Sequence, residues 1–233
     1  MDQTLRLKKK MADGGHPMAE LFKTVYKEGE GEIEEKKSRF IAHICPVSTE
    51  EEALAFIAKQ KKSFWDARHN CYAYRIGARG DIARYSDDGE PQGTAGRPML
   101  EMLSAQGITD VCVVVTRYFG GVLLGTGGLV RAYQGAVLEG LKNCAVIEKQ
   151  PGQERLVRCE YTHVGKLQYL LAQENLQTLG TDYAAQVEIR FLVPAGQEQG
   201  FEKKLTEAFS GTLSSEKLRD VTFAMVDGEA VYF

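Results

Sequence analysis

Apolar residues fall into short alternating or β-branched runs, separated by stretches that carry a helical stripe, and this order predicts a mixed α+β protein. Residues 21–27 and 40–46 read as strands, with the acidic stretch 28–35 between them. Ser48 and Glu51 form a capping box, and Leu54, Ile57 and Ala58 carry a helical stripe as far as Lys62. Residues 71–76 and 82–86 read as two strands joined by a turn containing Gly80. Residues 87–96, rich in Asp, Gly and Pro, make a loop. Pro98 then suits a first helical turn, with Met99, Leu100, Met102 and Leu103 on its apolar face. Residues 111–116 are a continuous β-branched run and so predict a strand covered on both sides. A glycine-rich loop follows, then a helix with Leu129, Tyr133, Ala136, Val137 and Leu141 on one face.

The pattern restarts near residues 149–152. Strands at 155–161, about 176–180, 184–193, 221–225 and 230–233 alternate with helices at 166–175 and 197–209. That is close to β-α-β-β-α-β, the ferredoxin-like order, in about 80 residues, enough for a small independent domain. Three segments are therefore expected. Residues 1–17 are a flexible extension or leader, 18–149 a first domain, and 153–233 a ferredoxin-like domain.

Composition narrows the class. The 233 residues are 43% hydrophobic and 26% charged, ordinary for a globular protein, and the formal net charge of -3 confines any polyanion-binding surface to a local patch. Five cysteines without a CxxC pair, an odd number set partly in apolar runs, suit the reduced thiols of a cytoplasmic protein. No run approaches ~18 apolar residues, so no membrane partner is expected.

Between Ser63 and Leu141 there is no lysine, although the chain has 16 elsewhere. The same stretch holds Arg68, Arg75, Arg79, Arg84, Arg97, Arg117 and Arg131. Arginine is favoured where a planar fork meets phosphate or carboxylate. These arginines can therefore serve an anionic ligand or pair with Asp66, Asp87, Asp88, Glu90 and Glu101.

The glycine-rich segment runs from Arg117 and Tyr118 through Gly120, Gly121, Gly125, Gly127 and Gly128 to Arg131. A strand before it and a helix after it favour close approach of an anion to backbone amides. Neither nucleotide fingerprint fits: Thr126 stands where a Walker loop needs Lys, and Val130 where a dinucleotide fold needs its last Gly. Asp87, Asp88 and Glu90 lie within four residues, but without EF-hand spacing, so no metal is expected. Thr94 fits a turn that caps the next helix. His69 and Cys71 share a strand face, but no third orienting group is legible, and GxSxG and HExxH are absent. No catalytic residue or cofactor is assigned.

Several of these stretches together resemble the IMPACT family. They are Ser38-Arg39-Phe40, His69 through Arg75, Asp87 through Pro91, Gly93 through Gly96, and Val114 through Gly125. The resemblance implies an N-terminal domain with a ribosomal protein S5 domain 2-like fold and a C-terminal domain similar to the last domain of elongation factor G. Eukaryotic members regulate translation, partly through an additional domain not found in this sequence. The function expected is a non-enzymatic binding protein that contacts RNA, the ribosome or a translation factor. Candidate contacts are His69, Tyr72, Arg75, Asp87, Asp88, Glu90, Thr94, Arg97, Arg117, Tyr118, Gly120, Gly121, Gly125, Gly127, Gly128 and Arg131, with Tyr72, Tyr74 and Tyr118 available to stack on bases. Two alternatives are a hydrolase using His69, Asp87, Asp88, Glu90 and Arg97, and a protein–protein adaptor.

Overall fold

A computed structural model describes residues 21–233, so the extension expected at residues 1–17 lies outside the described residues. The chain divides into two compact units, Leu21–Lys149 with Ala224–Gly228, and Gln150–Phe223 with Glu229–Phe233.

The first unit holds a five-stranded antiparallel sheet. Its strands are β2 (Gly29–Glu35), β3 (Ser38–Pro46), β4 (His69–Ile76), β5 (Ile82–Ser86) and β6 (Val111–Tyr118), in the order β2-β3-β6-β4-β5. A short β1 (Phe22–Val25) pairs with the start of β7 (Val146–Cys159) through Phe22↔Lys149 to Val25↔Val146. Alternation along the strands sends Phe40, Ala42, Ile44, Cys71, Ala73, Val113 and Val115 to one face. There they meet Met99 and Leu103 of α2 (Gly96–Ala105) and Leu129, Tyr133 and Val137 of α3 (Thr126–Lys142). Tyr74, Ile76, Cys112 and Val114 face the other way, onto Ala53, Phe56 and Ile57 of α1 (Glu50–Ser63). The result is three layers with β6 in the middle of the sheet, which is why its sequence is apolar on both faces.

Three expectations need correction here. The acidic stretch 28–35 is not a connector but the edge strand β2. A Cβ placed on Gly31 would sit 2.3 Å from the Gly140 nitrogen of α3, so glycine lets strand and helix backbones touch and leaves no apolar alternation to detect. The cap of α1 is displaced by one residue: Thr49 Oγ1 accepts from the Glu52 amide, while the Glu52 carboxylate accepts from the Ser48 amide. The buried stripe of α1 is Ala53, Phe56, Ile57 and Gln60, which leaves Leu54 and Ala58 exposed.

In the second unit the antiparallel order is β11-β10-β7-β9-β8, where β8 is Thr178–Tyr183, β9 Val187–Pro194, β10 Glu216–Val226 and β11 Glu229–Tyr232. Val157, Ile189, Phe191 and Val193 pack with Leu167 and Leu171 of α4 (Val164–Gln173) and Phe201 and Leu205 of α5 (Glu198–Ala208). No helix among the described residues is long and apolar enough to cross a membrane.

Candidate functional site

The glycine-rich segment turns out to be two structures rather than one loop. Residues 119–125 connect β6 to α3, while Thr126, Gly127 and Gly128 already form the first turn of the helix. Gly120 is required sterically: a Cβ there would lie 2.0 Å from the Lys37 carbonyl carbon, and its amide donates to Ser38 Oγ at 3.1 Å. Gly121 (φ +84°) and Gly125 (φ +70°) occupy left-handed backbone, where a side chain is strained.

This contact brings a second basic element beside the segment. Lys36 and Lys37 form the two-residue tip of the β2–β3 hairpin, both exposed, with φ of 48° and 65°. Such a turn ordinarily takes Asn-Gly, because L-residues pay about 1–2 kcal/mol each for left-handed backbone. Two lysines in that conformation place two ammonium groups at an exposed tip, at a cost in local stability.

The N-terminus of α3 is open. Its N-cap is Gly125, without a side-chain cap, and the amides of Thr126, Gly127 and Gly128 find no acceptor among the described residues. Arg131 is exposed one turn further on, and its Nη1 lies 3.7 Å from where a Gly127 Cβ would be, so the guanidinium folds back over that first turn. Phe119, Val122 and Leu123 are exposed beside it, Leu123 by 82%. Helix dipole, free amides and a guanidinium thus converge where an anion would sit.

Arg117 does not belong to this surface. Its side chain is 7% exposed and its Nη1 donates to Glu90 Oε1 at 2.6 Å, while Glu90 is 3% exposed. The same Glu90 oxygen accepts from Tyr133 Oη at 2.9 Å, and Arg117 lies over the rings of Phe40 and Phe119. The expected phosphate contact is therefore an internal ion pair that ties the 87–95 loop to the sheet and to α3. The reason is position: Arg117 occupies the helix-covered face of β6, in line with Val113 and Val115.

The carboxylates of the 87–90 loop are also engaged. Asp87 accepts from the amides of Gly93 (2.8 Å), Ala95 (3.1 Å) and Gly96 (2.9 Å), so it caps α2 from outside the helix. Asp88 accepts from the Asn70 amide at 2.7 Å and pairs with Lys61 at 2.6 Å. His69 Nδ1 lies 2.9 Å from the Asp88 carbonyl, and Thr94 Oγ1 donates to the Pro91 carbonyl. The described residues contain no group of three His, Cys, Asp or Glu placed to hold a metal ion. Cys71 is buried against Tyr133 and the Asp87 carbonyl, and burial pushes its thiol far above the usual cysteine range.

The remaining candidates divide similarly. Arg75 braces the Ile108 and Arg79 carbonyls, and Arg97 pairs with Glu101 on the surface. Tyr74 is buried and donates to Glu50, with half-buried Tyr72 stacked beside it. Tyr118 donates to Asp66 and lies under Arg39. Of the sixteen named contacts, Gly120, Gly121 and Gly125 follow one another in the connector and Gly127, Gly128 and Arg131 in the first turns of α3. Lys36 and Lys37, of which the Lys37 backbone packs against Gly120, carry no motif of their own.

Residues 36–141 match the Impact N-terminal domain, and residues 157–212 match a domain of unknown function, DUF1949. The chain is 45% identical to the IMPACT family member YvyE of Bacillus subtilis (strain 168) over 188 residues, 81% of this chain and 87% of that protein. It is 41% identical to the IMPACT family member YigZ of Escherichia coli (strain K12) over 180 residues, 76% and 88% of the two chains. A crystal structure described only as that of a hypothetical protein aligns with a TM-score of 0.54 at 38% identity, over 86% of this chain and 98% of that one.

Proposed function

The chain belongs to the IMPACT family, and on that footing we propose that it is a non-enzymatic binding protein that holds the phosphate backbone of RNA at the open N-terminus of α3. The observation that carries this reading is the convergence of three unpaired amides, at Thr126, Gly127 and Gly128, with Arg131 folded over them. The exposed hairpin tip Lys36–Lys37, whose Lys37 backbone packs against Gly120, is read as extending the contact along a strand of nucleic acid. Exposed Phe119 and Leu123 offer apolar surface for unstacked bases.

The setting we infer is translation, in the cytoplasm, with RNA, the ribosome or a translation factor as the partner; the family resemblance supports the link to translation. The first unit is read as S5 domain 2-like and the second as ferredoxin-like. The layering of α1, sheet and α2 with α3 supports the first, and the order β10-β7-β9-β8 the second. A hydrolytic role draws less support, because Asp87, Asp88, Glu90 and His69 are all engaged in bonds that hold the loop.

Fluorescence anisotropy with a single-stranded RNA oligonucleotide tests the reading. Binding is expected to weaken with salt, and Arg131→Ala to lower the slope of log K against log salt by about 0.7. Arg97→Ala, which removes a guanidinium already paired with Glu101, serves as the control and is expected to leave the slope unchanged. Undetectable binding at low salt, or an Arg131→Ala slope equal to the parent's, would sink the reading. Retention of acidic proteins in nuclease-treated pull-downs would then favour the adaptor.

A further inference from the structure

Five cysteines are scattered along the chain, and the fold sets two of them opposite each other. Cys45 of β3 and Cys112 of β6 are direct partners in the antiparallel ladder, and both lie on the face covered by α1. All five thiols are free, and no other two are opposed in this way: Cys71 stands across from Val115, and Cys159 from Val187.

The ladder fixes the separation of the pair. The Val47 amide donates to the Asp110 carbonyl at 3.0 Å, and Pro46, across from Val111, has no N–H, so Cys45 and Cys112 are the next hydrogen-bonded pair. Cα atoms at such a position lie about 5.5 Å apart, inside the roughly 4.4–6.8 Å over which disulfides form. The Cβ atoms have to close by about 1 Å, and a bond made under that strain is readily reduced. The β2 ladder ends at Gly29↔Ile44, so at Cys45 strand β3 is held by β6 alone and is able to yield toward it.

The two sulfurs play unequal parts. Cys112 is fully buried, with its Sγ 3.9 Å from the Ala53 carbonyl of α1. Burial pushes its thiol up, and Cys45 beside it pushes it further. Cys45 is half-buried at the rim of the same cluster, its Sγ 3.3 Å from the Pro46 carbonyl and 3.6 Å from Glu28 Oε1. Of the two, Cys45 is the one a reagent in solvent can reach, and Cys112 is the one placed to attack it afterwards.

We propose that Cys45 and Cys112 form a dithiol that a small-molecule disulfide oxidises reversibly to a cross-strand disulfide. The Cys45 thiolate attacks one sulfur of glutathione disulfide, whose S–S bond breaks; a Cys45–glutathione bond forms and one glutathione leaves. The Cys112 thiolate then attacks Cys45 Sγ, displaces the second glutathione and closes the Cys45–Cys112 bond. The two protein thiols give up two electrons and two protons, and these end on two molecules of reduced glutathione. Burial and the Glu28 carboxylate push the Cys45 thiol up to about 12, so the first step is slow at neutral pH and quickens with alkali.

The full chain, incubated with excess glutathione disulfide at mildly alkaline pH, alkylated and digested without reductant, tests the pairing. Two of the five thiols are expected to be lost, both into a cross-link between the peptides that hold Cys45 and Cys112, and dithiothreitol is expected to restore them. Cys112→Ser removes the second nucleophile and is expected to halt the reaction at a glutathione adduct on Cys45. Cys45→Ser is expected to leave Cys112 reduced. The cross-link is mapped on the parent chain, so the outcome does not depend on how well either variant folds. The proposal is overturned if the parent keeps all five thiols, if the cross-link joins other cysteines, or if the parent stops at the Cys45 adduct as Cys112→Ser does.

Discussion

Replacing the hairpin tip by Lys36→Asn and Lys37→Gly separates what the lysines cost from what they do. Both residues sit at positive φ, 48° and 65°, where each L-residue is strained by about 1–2 kcal/mol. Asparagine tolerates this backbone better than lysine, and glycine removes the strain. Against that, glycine frees the unfolded chain, which offsets about 0.4–1 kcal/mol. The double variant is therefore expected to be more stable by about 1–2 kcal/mol, a rise of roughly 2–8 °C in melting temperature for a chain of this size. Because the chain has two units, unfolding in urea is best followed by the amide resonances of β3 and β6, which report on the first unit alone. The same variant removes two cations from the proposed RNA contact, so its salt slope is expected to fall by about 1.4. A variant less stable than the parent would refute the strain assignment. A variant with unchanged slope would refute the functional one.

Other outcomes follow from the internal bonds. Glu90→Ala leaves the Arg117 guanidinium buried without its counter-ion and is expected to cost about 3–5 kcal/mol in urea unfolding, whereas Glu90→Leu with Arg117→Met is expected to restore most of that loss. Asp87→Ala removes the carboxylate that accepts from the backbone amides of Gly93, Ala95 and Gly96 and is expected to cost about 2–3 kcal/mol, with faster amide exchange at Ala95 and Gly96 as the local signature. Burial pushes the thiol of Cys45 up to about 12 and that of Cys144 to about 11, and it raises Cys71, Cys112 and Cys159 as well. Native-state alkylation of Cys45 and Cys144 by iodoacetamide is therefore expected to run at least ~100-fold slower than for a free cysteine at pH 7.5, and to keep rising with pH beyond the point, near ~8.5, where a free thiol is half ionised.

What the sequence disclosed depended on distance along the chain. The β6 run and the apolar faces of α2 and α3 were legible because their signal is local: alternation or a stripe within a single element. Strand β2 was not, because its glycines at 29 and 31 serve contact with α3 more than 100 residues away, as at Gly140. The position of Arg117 was equally hidden, since an arginine at the end of a strand reads the same whether it meets phosphate or Glu90 of another loop. Lys36 and Lys37 gain their meaning from a turn conformation and from the contact of the Lys37 backbone with Gly120, and neither leaves a trace in composition. Cys45 and Cys112 read as two scattered thiols, and only the register of β3 against β6 sets them opposite each other. The glycine-rich segment reads as one loop in the sequence, whereas Thr126, Gly127 and Gly128 stand in the first turn of α3, because a helix that opens on glycines has no apolar stripe to announce it.

The backbone amides of Thr126, Gly127 and Gly128, observed while a single-stranded RNA oligonucleotide is added at low salt, test the central claim most directly. These three resonances are expected to shift downfield together and to saturate along one isotherm with the Arg131 side chain and the Gly121 and Gly125 amides. The shifts are expected to reverse when salt is raised. RNA binding that leaves those amides unmoved, or no binding at all, would contradict it.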